Sequence, residues 1–237
     1  MTERDLSTTP TQRDALERLL SDDRLETYRR AAGEECDTVD LYLFNMNAAA
    51  AFLGPLHVLE VVMRNSMHAE LGRFAGQEDW WTTGKVPLSD KHWGWIEDGI
   101  RWTNRGRAAR RLPPASPGDQ VADFDFRIWT AMLEKGPRDR GTEYERVLWQ
   151  PIIRRAFPAY RGQRDWVDKL ANRARNLRNR VSHHEPIFDE DLVRAYRGIL
   201  DLVGFISPEV RAWLAARARV GGVVGKRPPR GEPIRRF

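Results

Sequence analysis

Between Arg175 and Ile187 the chain reads RNLRNRVSHHEPI, which gathers Arg175, Arg178, Arg180, two asparagines and the adjacent pair His183 and His184. Arginine is a permanent cation whose planar fork fits phosphate oxygens. Histidine takes or gives a proton near neutral pH, and asparagine can orient either of them or a ribose hydroxyl. This set suits metal-free cleavage of RNA: the 2′-hydroxyl attacks phosphorus, histidine moves the proton, and arginine stabilises the charged phosphorane. The residue types alone also fit a solvated helix face, with histidines placed at a helix C-terminus by the dipole.

Trp166, Leu170, Ala174, Leu177 and Val181 recur every three or four residues, which predicts an amphipathic helix from about Asp165. It should stop near His184, because Pro186 pushes Glu185 out of the helical region. Arg178 and Asn179 then occupy the last full turn. Five residues on a regular helix rotate by about 140°, so Arg178 and His183 meet only if that turn is distorted or if a second copy of the helix faces the first. Arg173, Arg175, Arg178 and Arg180 make this helix strongly basic.

A second set of polar residues lies upstream. A helix expected from Pro55 to about Phe74 has Leu56, Leu59, Met63 and Leu71 as its apolar face, and Glu60, Arg64 and His68 at four-residue steps beside Asn65. Glu60 before Arg64 is the favourable order for an ion pair within a helix. Such a stripe either is solvated or faces inward to order the basic helix.

The other segments have helical periods, and no alternating strand pattern occurs, so the expected class is all-α. Helices are expected over Gln12–Ala32, from Asp40 to an interruption at Gly54–Pro55, from Ser89 to about Thr103, from Asp119 or Asp123 through Leu133, over Glu143–Phe157, and from Leu192 to Ile206 after an Asp189 cap. A short terminal helix follows Ser207–Pro208. The tryptophans of the middle segment suit a core. RGRAARRLPPASPGD reads as a basic loop and the best internal linker. From Arg217 to Phe237 seven Lys/Arg face one Glu, a net of +6 against +5 for the whole chain. The basic excess therefore belongs to this aperiodic tail, expected to be disordered and to attract phosphates. The expected organisation is one domain over residues 1–216 and a tail over 217–237. Cys36, the lone cysteine, excludes an internal disulfide, and no Cys/His cluster has zinc spacing, so no metal or cofactor is expected. No apolar run approaches a membrane span and MTERDLSTTP is not a signal peptide, which points to the cytoplasm.

Arg178 and Asn179, followed after three residues by His183 near the end of a long helix, resemble the signature of the HEPN superfamily of ribonucleases. LRNRVSHHEPI, together with LHVLEVVMRNSMHAEL (Glu60, Arg64, Asn65) and the run FDFRIW…YERVLWQPIIRRAFP, resembles its abortive-infection (Abi-like) branch, over about Leu41 to Phe205. The chain departs from that pattern near Asp125, where a small residue is usual, and at Glu185, where some HEPN toxins carry a tyrosine; the latter argues against control by nucleotidylation. The resemblance implies a HEPN-like helical bundle with additional helices, and a homodimer with one composite cleft. It also implies a metal-independent endoribonuclease acting in phage defence or a toxin–antitoxin system, with a protein or RNA antidote. Arg178 would bind phosphate, His183 would be acid or base, and Asn179 would orient them. His184, Glu60, Arg64 and Asn65 would be accessory, and Arg173, Arg175 and Arg180 would hold RNA. The alternative is a non-catalytic HEPN protein that binds RNA without cutting it.

Overall fold

The computed structural model describes residues 8–32, 36–136 and 143–228, and these are helical with no strand among them. The chain divides into two compact units: Met1–Leu53 with Arg180–Val193 and Arg219–Phe237, and Gly54–Asn179 with Arg194–Ala218.

In the first unit, α1 (Pro10–Leu20) begins at a capping box. Thr9 accepts from the Gln12 amide, and the Gln12 side chain returns to the Thr9 amide. Ser21, at φ 67°, breaks the helix expected to run unbroken to Ala32. α2 (Asp22–Ala32) restarts with Asp22 and Asp23 in its first turn, where the dipole favours them. It buries Leu25 and Tyr28, and the Tyr28 ring packs on Tyr42 and Phe188 at 5.2 and 5.1 Å. The segment expected to be a wholly disordered tail contains a short helix, α10 (Val220–Val224), whose Val220 is buried. An apolar side chain with somewhere to go supplies the order that composition did not predict. Residues 229–237 lie outside the described set.

Thr38–Ala75 forms one helix, α3, with Pro55 inside it, where an interruption was expected. Proline removes one rung of the ladder and clashes with the residue before it mainly through that residue's Cβ. Gly54 has none. Continuity joins two shorter apolar runs, so α3 is long and apolar enough, by length and composition, to cross a membrane, against the expectation that no run would be. Leu56, Leu59, Met63, Met67 and Leu71 of α3 are core residues of the second unit.

That unit continues with a 3₁₀ turn at Trp80–Thr82 and α4 (Asp90–Ala109), capped by Ser89 and nearly two turns longer than expected. The supposed linker is therefore partly helix. α5 (Pro117–Asp123), capped by Ser116, and α6 (Phe126–Ala131), capped by Asp125, replace one longer expected helix. The loop at GPRDRG falls mostly outside the described residues. The helix expected over 143–157 is broken into a π turn (Glu145–Trp149) and a 3₁₀ turn (Ile153–Ala156), since Pro151 between them has no amide proton. α7 (Arg164–Ser182), α8 (Leu192–Ile206) and α9 (Pro208–Arg217) complete the set; the first two cross between the units in sequence, and Ser207 caps the last as expected. Trp80, Trp129 and Trp149 are fully buried, but Trp102 is 74% exposed.

Ser89 also joins a buried polar chain. Its amide donates to the Tyr144 hydroxyl at 2.9 Å, and that oxygen lies 2.7 Å from Nδ1 of His92. The direction of that last hydrogen bond follows the imidazole tautomer, since a hydroxyl both donates and accepts. Burial, with Lys91 beside it, lowers the His92 pKa to about 4. Between the ordinary value near 6.5 and about 4, the unfolded chain binds a proton that the folded chain does not. Stability is thus complete above pH 6.5 and should fall by on the order of 2–3 kcal/mol as pH approaches 4. Urea unfolding at pH 7 and 4.5 measures this; the His92→Gln variant should show a flatter dependence, and an unchanged one would remove His92 as the cause.

Candidate active site

α7 carries most of the candidate residues, and its start is fixed by a buried charge. The Arg164 side chain is 3% exposed, yet its guanidinium is fully engaged. Nε meets Glu145 Oε2 at 3.0 Å, and the other nitrogens reach Asp165, the Leu133 carbonyl and, at 3.8 Å, Asp168. From there Leu170, Ala174 and Leu177 bury one face of the helix, as their spacing predicts, with Val167 and Ala171 beside them, whereas Trp166, expected on that face, is 44% exposed.

The remaining arginines of α7 separate by what they touch. Arg175 donates to the buried Thr130 hydroxyl at 3.0 Å, which anchors the helix on α6. Arg173 is exposed. Arg178 keeps about a third of its side chain exposed; its Nε is 3.4 Å from Glu60 Oε2 on α3, and its Nη1 is 3.5 Å from the Asn179 side-chain oxygen. Arg178 thus has one carboxylate partner, and Asn179 beside it is open to solvent.

Glu60 and Arg64, which are spaced for an intrahelical ion pair or for an inward-facing stripe, do not pair with each other among the described contacts. Glu60 is taken by Arg178, while Arg64 donates to the Ala122 carbonyl of α5 at 3.0 Å and lies 3.4 Å from Asn65 Oδ1. An i,i+4 pair is worth a few tenths of a kcal/mol, so any well-placed tertiary partner displaces it. Glu60 instead reaches Arg178 of α7. His68, the next residue of the stripe, accepts at Nδ1 from Trp80 Nε1 at 3.2 Å; burial lowers its pKa. That makes it a packing residue beside a cleft of about 480 Å³ lined by Gly72, Gly76 and Gln77.

In the first unit, regular helix ends at Ser182, one residue before His183, so the azimuth of an ideal helix does not apply to that histidine. His184 adopts φ 56°; its amide bonds to the Val181 carbonyl at 3.2 Å and the next amide, Glu185, to Arg180 at 2.8 Å. These two bonds form a Schellman end, with histidine where glycine is usual. The sequence places the stop correctly but attributes it to Pro186 rather than to this turn. Both histidines are exposed, and the His184 carbonyl accepts from Arg24. Arg180, expected to hold RNA, has its guanidinium on Asp189 at 2.9 Å, Glu190, the Pro186 carbonyl and, at 3.9 Å, Glu185. It serves the loop after the helix. Asn45 of α3 finishes that loop, with one side-chain oxygen accepting from the amides of Ile187 and Phe188 at 2.6 and 3.1 Å. Asn45 is 5% exposed and was missed from sequence; an asparagine inside the apolar run LYLFNMNAAAAFL is the signal that marks it. Among the described residues no three of His, Cys, Asp and Glu converge as the ligands of a metal would.

The arrangement in the second unit can hold a phosphate oxygen on Arg178, with Asn179 as a second donor. The Glu60–Arg178 link should be measurable. Both groups are partly exposed, so a cycle of Glu60→Ala, Arg178→Ala and the double variant should give a coupling of about 0.5–1 kcal/mol in urea unfolding. A coupling indistinguishable from zero would mean that the pair does not hold α7 on α3.

No protein-family model, curated protein or solved structure matches the chain.

Proposed function

We propose that the protein is a metal-independent endoribonuclease of the HEPN type, a cytoplasmic toxin of phage defence or of a toxin–antitoxin system that works as a homodimer. The observation that carries this reading is a contrast among arginines of one helix. Arg164 and Arg180 are saturated by carboxylates and carbonyls, and Arg175 is bound to a buried hydroxyl. Arg178, the arginine of the signature, has a single carboxylate partner among the described residues and a solvent-open asparagine next to it. A guanidinium kept for structure is enclosed; this one has donors to offer. His183 is likewise exposed immediately after the helix.

In the mechanism that follows, Arg178 takes a non-bridging phosphate oxygen and Asn179 steadies the phosphate or the ribose. The 2′-oxygen attacks phosphorus and gives up its proton to a histidine. The bond from phosphorus to the 5′-oxygen breaks, and a histidine returns a proton to that oxygen. Products end in a 2′,3′-cyclic phosphate and a 5′-hydroxyl. One His183 cannot be both base and acid in a single pass, and a two-fold dimer supplies two. Arg173 adds affinity along the strand, with an antidote RNA or protein as a competing partner.

Purified protein should cut a labelled single-stranded RNA in excess EDTA and leave the DNA strand of the same sequence intact. Arg178→Ala and His183→Ala should each slow cutting by about a hundredfold or more. Binding of RNA without any cutting would favour the non-catalytic member instead. Magnesium-dependent cutting, or cutting of DNA, would reject the chemistry. A monomeric mass at the concentration where RNA is cut would reject the shared cleft.

A further inference from the structure

The C-terminal half of α4 is a surface that the catalytic proposal does not use. Trp102 is 74% exposed there, the most exposed tryptophan among the described residues. Arg105 and Gly106 follow three and four residues later and Ala109 seven later, so all lie on the same face. Gly106 has open space where a side chain would be, and Ala109 is exposed and small, which leaves the flank of the indole flat and clear. The opposite face is the packed one: Thr103 is buried, and Gly99 lies against the Phe124 ring.

Arginines frame this flat area. Arg105, Arg110 and Arg111 are exposed and make no ion pair among the described residues. The last two are held in place by the backbone. Arg111 sits at φ 56°, its amide bonded to the Ala108 carbonyl and the next amide, Leu112, to Arg107, both at 3.0 Å. Arg107 secures the turn by donating to the Pro113 carbonyl at 2.8 Å and pairing with Asp119 of α5 at 3.2 Å. The rise of a helix puts about 12 Å between Trp102 and Arg110, the reach of a short single strand.

We infer that this face of α4 is a docking surface for single-stranded RNA, with Trp102 stacking a base and Arg105, Arg110 and Arg111 holding the phosphates beside it. An exposed indole next to a bare helix surface accepts any base. Three cations without internal counterions complement a polyanion, whereas a protein partner would need a larger apolar patch than one indole and Leu112 supply. The choice of RNA rests on the function proposed above. A connected path also exists within this unit: α5 pairs with Arg107 through Asp119 and accepts from Arg64 through Ala122, one turn of α3 from Glu60 and its partner Arg178. A strand held on α4 is thereby kept on the unit that carries Arg178.

The test uses a fluorescent 2′-O-methyl RNA of about twelve nucleotides. It has no free 2′-hydroxyl and cannot be cut, so binding is read apart from cleavage. Anisotropy at several salt concentrations should show Trp102→Ala weakening binding at least fivefold and Trp102→Phe staying near wild type. Replacing Arg105, Arg110 and Arg111 together by glutamine should lower the slope of log Kd against log salt by about 2. Unchanged affinity and slope in these variants would overturn the docking surface, as would binding to vesicles rich in anionic lipid but not to the oligonucleotide. Loss of cutting by the wild-type protein, with this binding pattern intact, would overturn only the catalytic reading.

Discussion

A guanidinium 3% exposed to solvent cannot be left uncompensated, and the second unit is arranged around that demand. Removing a charge from water costs several kcal/mol, recovered only if its donors find good partners. Arg164 therefore draws together the Leu133 carbonyl, Glu145 of the π turn, and Asp165 and Asp168 of its own helix. Those contacts set where α7 begins and how it is rotated. The rotation puts Leu170, Ala174 and Leu177 inward and fixes which way Arg173, Arg175 and Arg178 can point. The orientation of Arg178 thus rests on a residue fourteen positions upstream.

How much was legible depended on the range of the forces involved. α7 could be read because its apolar period is strong and its polar residues after Arg164 stay out of the core. The fate of Pro55 could not be, since the penalty it imposes is local while the burial that overrides it is spread over residues far along the chain. The same holds for Glu60. Its sequence neighbour Arg64 offered a weak bond, and Arg178, more than a hundred residues away, offered a better-placed one. The π and 3₁₀ turns between residues 145 and 156 were read as one helix because apolar periodicity does not register a missing amide proton. Val220 shows the opposite error, in which composition dominated by Gly, Pro and Arg hid a short helix with a buried anchor.

Two helices end in the same uncommon way. Arg111 and His184 both stand in the left-handed region, where a side chain usually costs about 1 kcal/mol relative to glycine. Each is followed by a loop that an arginine one turn back ties down: Arg107 for the first, Arg180 for the second. The loop contacts offset the strain and leave an exposed polar side chain at a defined place beyond the helix. That is a useful property for any group meant to meet a ligand.

Glu60 has a further effect on how this protein would respond to ionic strength. A single-stranded RNA gathers small cations along its phosphates, and their escape when fixed cations neutralise those phosphates is what makes such binding weaken in salt. Arg178 already holds a covalently tethered anion. On the function proposed above, a phosphate at Arg178 would displace a carboxylate that stays attached to the chain, and the freed Glu60 would attract a cation in place of the one the phosphate gives up. The arginine at the centre of the motif should thus be nearly indifferent to salt, leaving sensitivity to the arginines at the periphery. On the function proposed above, a ligand would have to displace Glu60 to reach Arg178, a demand that favours a phosphodiester over a weakly charged group.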